Sequence, residues 1–131
     1  MPPVDLKDRT RAFALAVVSL VEDLPRGRSA DAIGNQLLRS GTSVGANYRA
    51  ACRARSRREF LAKLGIVEEE ADETQFWLDL VIDRGLADTD RAKRLREEAR
   101  QLVAIVVSSI RTARRTPRSI PHSTFRIPHS I

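Results

Sequence analysis

The chain has 131 residues, a length typical of one domain and too short for a two-domain enzyme. Hydrophobic residues make up 42% of it, which suffices for a modest core and excludes disorder throughout. The formal charge is +6, and arginine supplies 20 of the 23 cations. Because the planar guanidinium group binds phosphate and carboxylate well, nucleic acid is a candidate partner. Cys52 is the only cysteine, which excludes an intramolecular disulfide and indicates a reducing compartment.

The first predicted helix runs from Asp5 to Leu24 and ends at Pro25. Its apolar segment, residues 13–21, resembles part of a signal peptide, but Asp5 and Asp8 stand where a signal peptide is positive. Nine residues are also too few to cross about 30 Å of hydrocarbon as a helix. We therefore expect a soluble, cytoplasmic protein.

The second predicted helix begins near Ser29 or Asp31 and continues to Ala51. It contains three interior glycines, and each costs roughly 1 kcal/mol relative to alanine. Such a helix needs tertiary contacts, and its small residues allow a neighbouring helix to approach closely. The glycines also permit a bend or break at residues 41–43. They are Gly34, Gly41 and Gly45.

The third helix has the strongest local signal, because Ser56-x-x-Glu59 is the spacing of a capping box. After this cap, the residues expected to face the core recur at alternating steps of four and three, which is typical of a bundle seam. Gly85 is the expected end of the helix. The fourth helix begins near Asp88 and repeats the pattern. The seam of helix 3 is Phe60, Leu64, Val67, Ala71, Thr74, Leu78 and Val81, and that of helix 4 is Ala92, Leu95, Ala99, Leu102, Val106, Ser109 and Ala113.

Residues 116–131 form a second predicted unit, a disordered tail with three prolines that follows a helical domain at residues 1–115. Ile-Pro-His-Ser occurs twice in this tail, so a docking motif is the alternative interpretation. His122 and His129 have no cysteine or acidic residue beside them, and we do not expect them to bind a metal.

Four helices with short connections predict an all-α fold, an antiparallel up-down-up-down four-helix bundle. Helices 1 and 4 are apolar over more than one face. Self-association through these two helices is the preferred explanation, and imperfect amphipathicity in a monomer is the alternative.

The predicted topology collects arginines at one end, where helix 1 starts, helices 2 and 3 connect and helix 4 ends. Eleven cations lie there against three carboxylates, whereas the opposite end is acidic. Helix macrodipoles favour bases at helix ends, yet residues 53–58 place arginines at a helix start, where phosphate binding would explain them. Only Tyr48 is an aromatic residue near them, which favours contacts to the nucleic-acid backbone. The predicted nucleic-acid-binding residues are Lys7, Arg11, Arg49, Arg53, Arg55, Arg57, Arg58, Arg111, Arg114 and Arg115.

The acidic run at residues 68–73 has three interpretations: a metal site, a contact for a neighbouring subunit's arginines, or a solvated helix face. The last is preferred, because no histidine lies in a predicted helix. Cys52, near the arginines, is a candidate for a lowered pKa but is interpreted as a packed residue, and Trp77 as a core or interface residue. No phosphate loop, triad or ligand cluster is present, so we expect no enzyme, catalytic residue, metal or cofactor.

Three segments carry a family resemblance: residues 36–49, 55–60 and 63–71. They strongly resemble the bacterial four-helix bundle proteins encoded in intervening sequences of 23S rRNA genes. The most specific part is Ser43-x-x-x-Asn47 followed by Ser56-x-x-Glu59-Phe60, and the likeness covers residues 5–114. This family is in turn similar to the accessory variability proteins of diversity-generating retroelements.

The resemblance implies a ring-like homopentamer with a basic surface and a role linked to nucleic acid, without a settled molecular activity. The resemblance implies structural roles for the residues that match the family's pattern. The arginines between helices 2 and 3 match the family's basic region at the same place. Where relatives commonly have a glutamate three residues after the asparagine, this chain has Ala50. The matching residues are Ser43, Asn47, Ser56, Glu59 and Phe60.

Three functional hypotheses follow. The first is a non-enzymatic oligomer that binds nucleic acid, with RNA favoured, through phosphate contacts from the arginine-rich end. The alternative is a scaffold that docks a reverse transcriptase or a ribosome-associated factor without touching nucleic acid. The third is a self-assembling structural protein with no charged partner.

Overall fold

The structure, a computed structural model, describes residues 5–115, which form four helices. Each helix packs against the next along the chain, and α1 also contacts α4 lightly, the arrangement of an antiparallel up-and-down bundle. The described range contains no strand, so the all-α four-helix prediction is confirmed. The predicted tail, with His122 and His129, lies outside the described residues. The helices are α1 Leu6–Glu22, α2 Arg28–Cys52, α3 Arg57–Asp83 and α4 Thr89–Arg115.

The start of α3 is capped much as its sequence predicts. The hydroxyl of Ser56 accepts the backbone N–H of Glu59 at 3.0 Å. The Glu59 carboxylate accepts a hydrogen bond from the backbone N–H of Arg55 at 3.3 Å. In a capping box it would accept from the backbone N–H of Ser56. The boundary is confirmed, and the carboxylate bonds one residue earlier than expected.

The turn between α3 and α4 also follows from local chemistry. Gly85 has a φ of 62°, and the N–H of Leu86 donates to the carbonyl of Val81 at 3.0 Å, which closes a Schellman motif. Asp88 then accepts the N–H of Asp90 at 2.9 Å and caps α4. By contrast, α1 ends at Glu22, two residues before its predicted end.

The core contains the predicted seams of α3 and α4 together with buried residues of α1 and α2. Every predicted seam position of α3 is buried, and so are five of the seven of α4; Ser109 and Ala113 are half-buried. Two buried hydroxyls, those of Ser40 and Thr74, are joined by a 3.0 Å hydrogen bond between α2 and α3. They are therefore satisfied inside the core, where an unpaired hydroxyl is costly.

The glycines of α2 bring α1 unusually close. A Cβ added to Gly41 would lie 2.7 Å from the Val17 side chain, and one added to Gly45 would lie 3.2 Å from the carbonyl oxygen of Thr10. The helix itself is continuous from Arg28 to Cys52, so the glycines do not break it. The glycines serve the contact between α1 and α2, as the sequence indicated.

The first helix is shorter than the others and covers only part of the bundle. It has 17 residues, whereas the other three have 25 to 27. Arg9, in its first turn, pairs with Glu98 at 2.7 Å, and α4 continues for 17 residues beyond Glu98. The last turns of α4 therefore extend beyond the start of α1.

Gly41→Ala is expected to destabilise the bundle by about 1–3 kcal/mol, because its methyl group would overlap the Val17 side chain. Gly65→Ala is the matched control. No atom lies within 4 Å of a Cβ at Gly65, so this change should stabilise the helix by about 0.5–1 kcal/mol. Urea unfolding followed by circular dichroism measures both, and equal effects of the two substitutions would contradict the packing argument.

Candidate nucleic-acid interface

Two adjoining concavities form a groove at the end of the bundle where α2 ends and α3 begins. The first, of about 260 Å³, lies between α1 and α2. The second, of about 530 Å³, lies between the last turns of α2 and the first turns of α3. They share Ala46 and Arg49, so we treat them as one surface. This basic groove is defined by its cations, Lys7, Arg11, Arg49, Arg53, Arg55 and Lys63.

The cations of the basic groove have no carboxylate partner among residues 5–115. The salt bridges within this range involve other arginines, such as Arg9 with Glu98. Glu59 is the only carboxylate among the residues lining the groove, and it accepts the N–H of Arg55. Because these positive charges are not neutralised inside the bundle, their field can attract an anion.

Arg57 has a structural contact of its own. Its guanidinium is half-buried and donates to the backbone carbonyl of Ala113, in the last turn of α4. A cation at a helix C-terminus is favoured by the macrodipole and satisfies a carbonyl that lacks a partner in the helix. This contact gives a reason, other than phosphate binding, for a cation at the start of α3.

The other predicted binding residues divide into two sets. Five of them line the basic groove, while Arg58 and the three arginines at the end of α4 are exposed at the same end without lining it. Sequence reasoning missed Lys63 as a groove residue. Lys63 follows Glu59 by one helical turn, and this spacing places both residues on the same helix face. The set in the groove is Lys7, Arg11, Arg49, Arg53 and Arg55; the set outside it is Arg58, Arg111, Arg114 and Arg115.

Tyr48 and Cys52 lie beneath this end of the bundle. Tyr48 is fully buried, and its hydroxyl makes no hydrogen bond within the part of the chain that the structure describes. Burial raises its pKa. Burial also raises the pKa of the Cys52 thiol, and the opposing effects of Tyr48 and Lys7 are smaller. The lowered pKa considered for Cys52 is therefore not found, and its interpretation as a packed residue holds.

The acidic run of α3 connects two helices. Arg39 of α2 pairs with Glu70 at 3.1 Å and also with Glu73. The indole N–H of Trp77 donates to Glu73 at 2.8 Å. Across residues 5–115 no group of three acidic, histidine or cysteine side chains is placed to hold a metal ion. Two carboxylates of the run thus join α3 to α2.

The described helices include none that is both long and apolar enough to cross a bilayer. Fold and site together define a basic, antiparallel four-helix bundle with an open cationic groove at one end. The chain belongs to the family of 23S rRNA-intervening sequence proteins, whose model matches residues 4–108. This confirms the resemblance seen in the sequence.

A solved structure supports the same assignment. The chain is 35% identical to a crystallised protein of unknown function from the S23 ribosomal protein family of Bacteroides thetaiotaomicron. The match covers 79% of this chain and 96% of the other, with a TM-score of 0.74. A search of curated proteins gave no match.

Arg57→Ala is expected to loosen the last turn of α4, because the carbonyl of Ala113 loses its charged donor. A loss of about 1 kcal/mol would speed amide exchange in that turn roughly fivefold. Hydrogen exchange followed by NMR measures this directly. Arg58→Ala removes the same charge from an exposed neighbour and serves as the control. Equal exchange in the two variants would contradict the capping role.

Cys52 is expected to react slowly with iodoacetamide at pH 8, because a raised pKa leaves less thiolate and half-burial limits access. The reference is a Cys52→Ser chain that carries Ala104→Cys, which places a cysteine at an exposed position in the middle of α4. The pH profile of Cys52 alkylation should lie at higher pH than that of the reporter. A profile at lower pH would show an activated thiol instead.

Proposed function

We propose that this protein is a non-enzymatic oligomer that binds nucleic acid, RNA by preference, through the basic groove and the arginines beyond it. The observation that carries the proposal is the continuous groove whose six cations have no carboxylate partner among residues 5–115. Guanidinium and ammonium groups bind phosphates through charge-assisted hydrogen bonds, and a row of them matches the repeated charge of a nucleic-acid backbone. The family's description, which refers to 23S rRNA, supports RNA as the first candidate.

Binding is expected to involve the phosphate backbone and to depend little on base sequence. Tyr48, the aromatic residue nearest the groove, is fully buried and cannot stack on a base. Contacts from lysine and arginine to phosphates position a nucleic acid without reading its bases. The proposed interface therefore recognises charge and shape.

We further propose a ring-like homopentamer in the cytoplasm. The resemblance to ring-forming relatives supports the assembly, and so does Leu15 on α1, an apolar side chain that is half exposed. In a ring of parallel bundles the basic ends of all copies would lie on one face. A lone, half-buried thiol, Cys52, fits a reducing compartment.

The test is fluorescence anisotropy of the purified full chain with single-stranded RNA, duplex RNA and duplex DNA over a range of salt concentrations. The triple variant Arg49→Ala, Arg53→Ala, Arg55→Ala should bind each probe more weakly. If each of the three residues neutralises one phosphate, the slope of log affinity against log salt should fall by about 2–3 for duplex DNA. RNA is expected to bind more tightly than DNA at equal salt.

The matched control removes three exposed arginines from the opposite end of the bundle, Arg26, Arg28 and Arg84, with the same change in net charge. Its binding and salt slope should stay close to those of the wild type. Equal losses in both variants would mean that net charge alone, and not the groove, determines binding. If no probe binds even at low salt, the proposal is wrong and a protein-docking scaffold becomes the better hypothesis.

A further inference from the structure

Two large apolar side chains are exposed among residues 5–115: Leu15 is 52% exposed and Phe76 is 53% exposed. Phe76 points away from the bundle. Its neighbour Trp77 donates its indole N–H to Glu73, which pairs with Arg39 of α2, and Asp79 binds Arg96 of α4. Leu15 lies on α1, so the two apolar residues belong to different sides of the molecule. Phenylalanine is enriched in protein interfaces relative to the rest of the surface.

A notch of about 400 Å³ lies between α1 and α4, beside Leu15. Leu15 precedes Ala16 in the chain and lies one helical turn before Ser19, and both of these residues line the notch. Ala16 and Leu95 supply apolar surface inside, and two arginines complete the lining. The α1–α4 notch is lined by Ala16, Ser19, Arg91, Arg94 and Leu95.

Phe76 and the α1–α4 notch lie at the same height along the bundle. Arg57 contacts the carbonyl of Ala113, and Asp79 pairs with Arg96, which fixes the antiparallel register of α3 and α4. Counting along both helices from these two contacts places Phe76 level with residues 94–99 of α4. Leu95 lies in that segment and lines the notch. A rotation about an axis parallel to the helices preserves this height, so the two surfaces can meet between neighbouring copies.

The charges around the two surfaces are complementary. Two exposed aspartates lie on the same face of α3 as Phe76. Asp72 is one helical turn before Phe76, and Asp83 is two helical turns after it. The notch carries Arg91 and Arg94; Arg91 already pairs with Asp23 at 2.6 Å, whereas Arg94 is exposed. Asp83 lies two helical turns, about 10 Å, below Phe76. The same register places it level with residues 87–92 of α4, close to the heights of Arg91 and Arg94.

We infer that Phe76 of one copy inserts into the α1–α4 notch of a second copy, and that Asp83 pairs with Arg94 across this contact. The two surfaces differ, so each copy contributes its Phe76 surface to one neighbour and its α1–α4 notch to another. Such a head-to-tail contact closes into a ring when the rotation between neighbouring copies permits. The inference rests on the proposed homo-oligomer and specifies which surfaces build it. It leaves the basic groove open to solvent.

The test is the molar mass of the full chain by size-exclusion chromatography with light scattering over a dilution series. Phe76→Ala should raise the subunit dissociation constant at least tenfold, the effect of removing an anchor residue. Asp83→Arg and Arg94→Asp should each weaken assembly, and the double variant should restore it to within about threefold of wild type. Asp31→Arg, at an exposed position of α2, is the charge control and should assemble normally.

The outcomes separate this contact from the assembly itself. A wild-type chain that stays monomeric at high concentration would overturn both the proposed oligomer and the contact. A wild-type oligomer that tolerates Phe76→Ala would overturn the contact alone, and so would a charge swap without rescue. Circular dichroism of each variant checks the fold, which should not depend on these exposed side chains.

Discussion

The approach of α1 to α2 at Gly41 and Gly45 sets the distance between two walls of the basic groove. Lys7 and Arg11 lie on α1 and Arg49 on α2, and Gly45 itself lines the space between them. A Cβ at Gly41 would overlap the Val17 side chain, and a Cβ at Gly45 would lie 3.2 Å from the Thr10 carbonyl oxygen, so a side chain at either position would strain the contact between the helices. The charge density of the groove is therefore a consequence of helix packing. A cost of roughly 1 kcal/mol for each interior glycine is offset by close contact between two helices.

Much of the fold could be predicted because its signals are local. The Ser56 cap and the Gly85 turn are fixed by residues a few positions away, and a seam at steps of four and three identifies buried positions without knowledge of the partner helix. The end of α1 was less predictable. The helical pattern continues to Leu24, but the helix ends at Glu22 and the chain then turns toward Pro25. The glycines of α2 do not break the helix, and Gly41 and Gly45 instead lie in close contact with α1.

The site was predictable in composition but not in arrangement. Sequence placed the arginines at one end, yet which of them line a groove depends on how far each helix extends past its neighbour. The short α1 brings Lys7 and Arg11 beside Arg49, while the last turn of α4 continues beyond them. The cap that Arg57 forms on the carbonyl of Ala113 joins residues 56 positions apart, and no local sequence pattern specifies this particular pair. Ala50 also lines the groove and adds no charge to it, so Glu59 is the only carboxylate among the lining residues.

The placement of the only tryptophan decides what its fluorescence can report. Trp77 lies edge-to-face with Phe76, with 4.9 Å between the ring centroids and 76° between the ring planes, on α3 and away from the residues of the basic groove. Its emission is therefore sensitive to solvent and packing on the outer surface of α3. An emission shift on dilution would report the separation of subunits there, whereas a ligand held at the opposite end of the helix should leave the spectrum unchanged. One optical signal can thus follow assembly while a labelled probe follows binding in the same cuvette.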